Sequence, residues 1–187
     1  MESNTTWEVH PIASLYLEIV MNQTSLKRDI NEIIFNSIYY GMEPWWFITF
    51  HYKDHKTKEA EILEDIHDLK NKLKRLIYKN RDPKVIGIGK FYYPKCLFIN
   101  ERSRWGTEQF HTHMILERLP SKINTQASVE TLFKKDLPAR IKAMSKWKRV
   151  DVQRVSTEYC DLQRLSRYLA KQNSFDTITI DLFNSDL

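Results

Sequence analysis

The N-terminal part of the chain carries apolar residues at the spacing of an α-helix. From Ile12 to Tyr40 these residues recur at three and four positions, and Gly41 and Pro44 follow as helix-ending residues. We therefore predict a helical segment over residues 1–44, packed on a core domain over 45–187. At 187 residues the chain is long enough for one well-buried core and short for two, so one compact domain is expected overall.

Three further helices are predicted downstream. Between residues 56 and 79 an apolar stripe repeats by three and four with charges between its members, which is typical of a long amphipathic helix: Ile62, Ile66, Leu69, Leu73 and Leu76. A second helix is predicted over 128–144, kinked or divided by Pro138. A third is predicted over about 158–172.

The remaining apolar segments alternate with period two or are rich in β-branched and aromatic residues, which favours strands. Strands are predicted at residues 45–52, 85–91, 96–100, 110–117, 149–153 and 177–183. Helices set against a largely antiparallel sheet make an α+β fold. The long crossovers between strands favour a split βαβ arrangement of the ferredoxin-like kind.

One predicted strand, FHTHMILE over residues 110–117, contains two histidines. Alternation places His111 and His113 on one face of the strand and Phe110, Thr112 and Met114 on the other. Two imidazoles at this spacing can converge on one ion, and neutral imidazole is the commonest protein ligand of divalent metals. The strand is therefore a candidate metal-binding element.

Composition restricts the class of protein. Hydrophobic residues make up 42% and charged residues 28%, as in ordinary globular proteins. The formal charge of +5 and pI near 9.1 favour a partner that carries phosphates. Cys96 and Cys160 lie far apart, which argues against a zinc knuckle or a disulfide scaffold. We find no signal peptide and no spanning segment, so a cytoplasmic protein without a membrane partner is expected.

The last predicted helix places a tyrosine at the border of its apolar face. On a helical wheel Tyr168 lies beside the stripe of Leu162, Leu165 and Leu169, next to the polar residues Arg164, Lys171 and Gln172. A phenol with a pKa of about 10 needs nearby cations to act as a nucleophile at neutral pH. Lys171, one turn further on, and a metal on the histidine pair are the expected sources of positive charge.

The order of these motifs resembles the HUH endonucleases. A His-x-His pair followed by apolar residues, then a helical Tyr-x-x-Lys some fifty residues later, is similar to the single-tyrosine Rep proteins that initiate rolling-circle replication of plasmids and small viruses. The strand WWFITF resembles the first motif of that family, and the likeness spans Trp45 to Gln172. The middle position of the histidine pair is Thr112, where the family usually has a large hydrophobic residue.

The resemblance implies the ligands of the metal site. Family members usually complete it from the strand that precedes the histidine pair, and Glu101 stands at the end of that strand in this sequence. Glu108 is the weaker choice, because strand alternation turns it away from His111 and His113. A carboxylate with two imidazoles is expected to hold Mn²⁺ or Mg²⁺.

The resemblance also implies the reaction. Tyr168 would attack a phosphate of single-stranded DNA at a replication origin, remain linked to the 5′ end and release a 3′ hydroxyl, and the reverse step would rejoin ends. The hydroxyl would prime synthesis by a host polymerase in a bacterial or archaeal cell. No GxxxxGK[ST] motif occurs, so a separate helicase is expected. Closing the circle with one tyrosine requires a second visit or a second protomer in a homodimer.

Several residues are candidates for DNA contacts beyond the reacting phosphate. Arg164 and Gln172 flank the tyrosine, His51 ends the WWFITFH strand, and Trp105 or Trp147 could stack on a base. Two alternative functions remain at this point. A single-tyrosine HUH transposase shares the histidine pair and the tyrosine, and a non-catalytic basic DNA-binding protein would share the basic faces only.

Overall fold

The computed structural model describes seven ranges of the chain: residues 28–53, 59–77, 94–102, 110–140, 146–170, 180–181 and 185–186. In chain order the helices and strands are α1 (residues 28–39), β1 (Pro44–Tyr52), α2 (Glu59–Ile77), β2 (Cys96–Arg102), β3 (Phe110–Glu117), α3 (Gln126–Thr131), β4 (Trp147–Arg154) and α4 (Tyr159–Ala170). The predicted strand over 85–91 lies outside the described residues.

The four described strands form one antiparallel sheet in the order β2-β3-β1-β4. Strands β1 and β2 run in the same direction with β3 between them, and α2 connects the two. Strands β3 and β4 likewise run parallel with β1 between them, and the segment containing α3 connects them. The predicted α+β class with a largely antiparallel sheet is confirmed.

Both faces of the sheet are covered, as strand alternation requires. Strand β1 points Trp46, Ile48, Phe50 and Tyr52 into a core that also holds the apolar stripe of α2 and parts of α3. The other face forms a second core, in which Leu97, Ile99 and Ile115 of the sheet pack with apolar residues of α1 and α4. The sheet is therefore the middle layer of three.

Helix α1 belongs to the second core. Ile34 and Ile38 have no exposed surface and pack in the same cluster as Leu162 and Leu169 of α4. The described end of the predicted segment 1–44 thus lies against the core, and residues 1–27 lie outside the described part of the chain. Within the described residues, no helix has both the length and the apolar character that crossing a membrane requires.

The helix predicted over 128–144 is shorter and less regular than expected. It begins at Gln126, where the side chain of Thr125 caps it by accepting a hydrogen bond from the Ser128 N–H at 3.2 Å. It widens into a π-helix over Leu132–Asp136 and ends in a turn over residues 137–140. Pro138 stands in that turn, where its missing N–H cannot continue the helical hydrogen bonds.

Part of the last predicted strand, 177–183, lies outside the described residues. Ile180 pairs with Ile99 as an isolated antiparallel bridge, and the Asp181 N–H donates to the Phe98 carbonyl at 3.0 Å. These contacts extend the sheet beyond β2. The chain therefore returns to the outer edge of β2 after α4.

Candidate functional site

Polar side chains form a row across one end of the sheet. Glu101 of β2 lies opposite His111 of β3, which lies opposite His51 of β1, which lies opposite Arg149 of β4. Directly paired residues of neighbouring strands project to the same face. The four side chains therefore share the face that carries the second core.

A second row lies one step further into the sheet. His113 of β3 is paired with Thr49 of β1, and Thr49 is paired with Asp151 of β4. The predicted sidedness of the histidine strand is confirmed, because Phe110 and Met114 lie in the first core on the opposite face. The two rows together give this end of the sheet three histidines and two carboxylates.

His113 is held by both of its ring nitrogens. Its Nδ1 lies 3.0 Å from the hydroxyl of Thr49, and its Nε2 lies 3.0 Å from the Oε2 atom of Glu101. The ring is only 3% exposed. Because a hydroxyl can donate or accept, Thr49 is compatible with either neutral tautomer of His113. One of these tautomers leaves Nε2 unprotonated, as a metal ligand must be.

Two aromatic rings enclose His113. Phe47 of β1 stacks on the imidazole with 5.2 Å between ring centroids and 19° between planes. Tyr168 of α4 meets the same imidazole edge-on at 5.9 Å, and meets Phe47 at 6.4 Å. The ring of Tyr168 is thus held against the sheet while 46% of the residue stays exposed. A solvent-accessible phenol on a fixed ring is suited to attack a bound substrate.

The surroundings of Tyr168 hold its phenol in the protonated form. Burial raises the pKa of Tyr168, and the negative charge of Glu101 raises it further. The sequence predicted cations near this hydroxyl, but Lys171 lies outside the described residues. Within the described part of the chain, the charge that shifts the phenol is therefore negative.

His111 stands beside a second hydrogen-bonded group. Its ring meets the ring of His51 edge-on at 4.6 Å. His51 Nε2 lies 3.1 Å from Asp151 Oδ2, and Arg149 Nε donates to Asp151 Oδ1 at 2.7 Å. His51, a predicted DNA contact, thus has a carboxylate partner that the sequence alone did not indicate.

The pKa of His111 is lowered. Burial is the largest cause, and the nearby imidazoles of His51 and His113 act in the same direction, while Glu101 opposes them. A lowered pKa keeps the imidazole neutral near pH 7. The neutral form is the one that binds metal ions.

The separation of two of the predicted ligand atoms is compatible with a divalent cation. Glu101 Oε2 and His113 Nε2 are 3.0 Å apart, and adjacent ligands of an octahedral ion with bonds of about 2.1 Å are separated by about 3 Å. His111 is paired with Glu101 in the same row. As the side chains stand, however, no three His, Cys, Asp or Glu residues in the described ranges are arranged to hold an ion. The assignment of Glu101, His111 and His113 as ligands therefore stays a prediction.

The other predicted contacts have different outcomes. Lys171, Gln172, Trp105 and Glu108 lie outside the described residues. Arg164 is exposed, and its Nη1 donates to Asp161 Oδ1 at 3.2 Å. Trp147 is only 6% exposed, and its ring centroid lies 4.3 Å from that of Phe50. Because its ring is buried, the prediction that it could stack on a base is wrong.

Thr112 is the position at which the histidine strand departs from the pattern of the family that it resembles. Thr112 is fully buried and donates to Asn100 Oδ1 at 2.8 Å, so a hydroxyl is satisfied where the family usually has a hydrophobic residue.

Phe47, Thr49 and Asp151 were not singled out from the sequence. Alternation in WWFITFHY does place Phe47 and Thr49 on one face with His51, and that pattern was the available signal.

The chain was compared with models of protein families, with curated proteins and with solved structures, and none of these comparisons found a match. The likeness of its motifs to the HUH endonucleases is therefore a resemblance of short motifs. Any function has to be argued from the geometry of the rows on the sheet and of Tyr168.

Proposed function

We propose that this protein is a metal-dependent endonuclease that nicks single-stranded DNA through Tyr168. The observation that carries the proposal is the contact between two distant elements of the chain. Tyr168 of α4 lies edge-on against His113 of β3, and His113 is bonded to Glu101 of β2. A nucleophile and a candidate metal site are thus adjacent, as a metal-assisted attack on phosphorus requires.

The strand order supports the finer assignment to the HUH fold. Two pairs of parallel strands, each separated by one antiparallel strand, form the split βαβ arrangement of ferredoxin-like folds. The histidine strand is central in this order, and α4 follows β4 so that its tyrosine lies over β3 and β1. This arrangement is compatible with a tyrosine that attacks a phosphate bound over the histidine strand.

The reaction is an exchange of one phosphodiester bond for another. The Oη atom of Tyr168 forms a bond to phosphorus and loses its proton, while the bond from phosphorus to the 3′ oxygen breaks. That oxygen takes up a proton and leaves as a free 3′ hydroxyl, and the 5′ phosphate remains on the tyrosine. The reverse exchange rejoins ends without an external energy source, because the number of phosphodiester bonds is conserved.

Each residue of the proposed site has its own role in this reaction. Phe47 and His113 fix the ring of Tyr168, and Thr49 fixes His113. Glu101, His111 and His113 would hold Mn²⁺ or Mg²⁺, which supplies positive charge to the scissile phosphate and offsets the charge of Glu101. Lys171, three positions after the tyrosine, would assist the loss of the phenolic proton.

In a cell this activity suits initiation of rolling-circle replication. The substrate would be single-stranded DNA at an origin of a plasmid or virus, and the free 3′ hydroxyl would be extended by a host polymerase with a separate helicase. The setting would be the cytoplasm of a bacterial or archaeal cell. A homodimer would supply a second tyrosine for the closing step.

The proposal is tested by incubating the protein with labelled random-sequence single-stranded DNA and Mn²⁺ on a denaturing gel. The wild-type protein should give a covalent protein–DNA band, and Tyr168→Phe should lose that band while it still binds DNA. Tyr159→Phe is the matched control, because Tyr159 packs on Phe35 and Tyr39 away from the histidines and should keep the band. DNA binding without a band in any protein would leave a non-catalytic DNA-binding protein.

A further inference from the structure

At the other end of the sheet, two arginines converge on one tryptophan. The guanidinium carbon of Arg154 lies 3.4 Å from the ring centroid of Trp45 and 5.5 Å from that of Trp46. The guanidinium carbon of Arg118 lies 4.9 Å from the ring centroid of Trp45. Both arginines are exposed, and both follow or end the strands that flank β1.

Within the described part of the chain, both guanidiniums keep N–H groups that are available to an anion. A guanidinium stacked on an aromatic face keeps its N–H groups in its own plane, where they remain free to bind an anion. Among the described residues, neither Arg118 nor Arg154 has a carboxylate within salt-bridge distance. Glu117, the neighbour of Arg118, accepts from the backbone N–H groups of Glu43 and Lys95 instead.

The positive charges of Arg118 and Arg154 are close together, and a bound anion would offset their repulsion. The side chain of Arg154 is exposed, but its slight desolvation lowers its pKa, and the positive charge of Arg118 lowers it further because the two cations repel each other. The indole Nε1 of Trp45 is buried and has no hydrogen-bond partner among the described residues. Because this atom is closed to solvent, Trp45 would contribute the face of its ring, on which the guanidiniums lie, and not its N–H.

We propose that Arg118, Arg154 and Trp45 form a phosphate site that binds the backbone of the DNA substrate, at a phosphate other than the one that is cut. The proposal rests on the proposed nuclease function for the identity of the ligand. Two cations with no carboxylate within salt-bridge distance in the described ranges complement a phosphodiester in charge, and the planar guanidinium matches two of its oxygens. Arginine is the side chain that best combines this geometry with stacking on tryptophan.

The site uses other residues than the proposed metal site but lies near Tyr168. Trp45 lies two residues before Phe47, which contacts Tyr168, and four residues before Thr49, which is paired with His113, so these offsets along β1 are about 7 and 13 Å. The arginine pair would therefore bind a phosphate close to the one that is cut, on the same DNA strand.

The experiment measures binding without requiring cleavage. Fluorescence anisotropy with a random 20-nucleotide single strand compares the wild-type protein with Arg118→Gln/Arg154→Gln over a range of salt concentrations. We expect affinity to fall about tenfold near 0.1 M salt, and the slope of log affinity against log salt to become shallower by about 1.4, or about 0.7 for each lost contact. Arg28→Gln/Arg75→Gln removes the same charge from other exposed positions and should change both quantities less.

A second readout locates the ligand without any variant of the arginines. The indole N–H of Trp45, assigned by Trp45→Phe, should shift in the nitrogen–proton spectrum when the same DNA is added to ¹⁵N-labelled wild-type protein. Arg118→Lys/Arg154→Lys keeps the charge and should keep the salt slope, while the Trp45 resonance responds less to DNA because the planar stack is lost. Inorganic phosphate alone is the reference for a free anion.

Three results would overturn the site. These are an unmoved Trp45 resonance with DNA, a response to inorganic phosphate but not to DNA, and an equal loss of affinity in the Arg28/Arg75 control. The covalent protein–DNA band tests the nuclease proposal independently of these binding measurements. A protein that shows the arginine-dependent slope but no band would keep this site and lose the nuclease function.

Discussion

The two ring nitrogens of His113 face a hydroxyl and a carboxylate, and this places the residue at the centre of the site. Thr49 fixes the ring from one side and Glu101 faces it from the other, each at 3.0 Å. Partners of this kind orient a metal ligand and set its tautomer. The sequence indicated the histidine and its strand face, but the cross-strand register that pairs it with Thr49 is a property of the folded sheet.

Thr49→Val should weaken binding of Mn²⁺ about 10- to 100-fold, because loss of a partner that orients a ligand typically has an effect of this size. Isothermal titration calorimetry measures the affinity directly. Thr112→Val is the matched control on the opposite face of the neighbouring strand. It leaves Asn100 without its donor and should cost about 1–2 kcal/mol of stability, with Mn²⁺ affinity unchanged. Equal losses of affinity in both variants would contradict the role of Thr49.

The pKa of His111 gives a prediction for the metal-free protein. Its folded pKa lies below the ordinary value of 6.5, so near that pH the unfolded chain binds more protons than the folded one. The contribution of His111 to stability is therefore present above about pH 6.5 and is lost as pH falls below it. Urea unfolding with a chelator at pH 7.5 and 5.5 should show a smaller drop in His111→Gln than in the wild-type protein, and an equal drop would contradict the shift.

Helix α4 presents its two tyrosines to different surroundings. Tyr168 faces Phe47 and His113, whereas Tyr159 packs edge-on against Phe35 and Tyr39 of α1 at 5.3 Å each. The sequence predicted this separation, because nine residues rotate a helix by about 180°. It could not predict which element Tyr159 would meet, since that depends on how α1 packs over the sheet.

Tyr159→Ala should loosen the contact between α4 and α1. Removing two edge-to-face aromatic contacts of about 0.5–1.5 kcal/mol each should lower the free energy of unfolding by about 1–3 kcal/mol in chemical denaturation. The folded fraction should still form the covalent adduct with DNA. Loss of the adduct in Tyr159→Phe, which keeps the aromatic contacts, would show that the hydroxyl of Tyr159 serves the reaction.

At the scale of the molecule, the site joins strands that are distant in sequence. Glu101 belongs to β2 and the histidines to β3, while Tyr168 arrives from α4 near the end of the chain. Period-two and helical patterns predicted these elements and the faces they bury. The strand order and the salt-linked group of Arg149, Asp151 and His51 depend on long-range pairing, which leaves no local pattern in the sequence.

An ion held between β2 and β3 should stabilise the whole fold. At about 100 times the dissociation constant, binding to the folded state alone contributes about 2.7 kcal/mol. For a chain of 187 residues this corresponds to a rise in Tm of about 5–10 °C, measured by differential scanning calorimetry with and without Mn²⁺. Glu101→Gln keeps the shape of the side chain and should lose most of the rise. A rise of the same size in Glu101→Gln would place the ion elsewhere.

The central claim is that Tyr168 becomes covalently linked to DNA, and mass spectrometry of the adduct tests it most directly. Trypsin cleaves after Arg167 and Lys171, so Tyr168 lies in a four-residue peptide, whereas Tyr159 lies in the separate peptide 155–164. After Mn²⁺-dependent reaction with single-stranded DNA and nuclease digestion, we expect a 5′-phosphonucleotide on the peptide of residues 168–171. A nucleotide on any other peptide, or no linked nucleotide although DNA and Mn²⁺ are bound, would contradict the account.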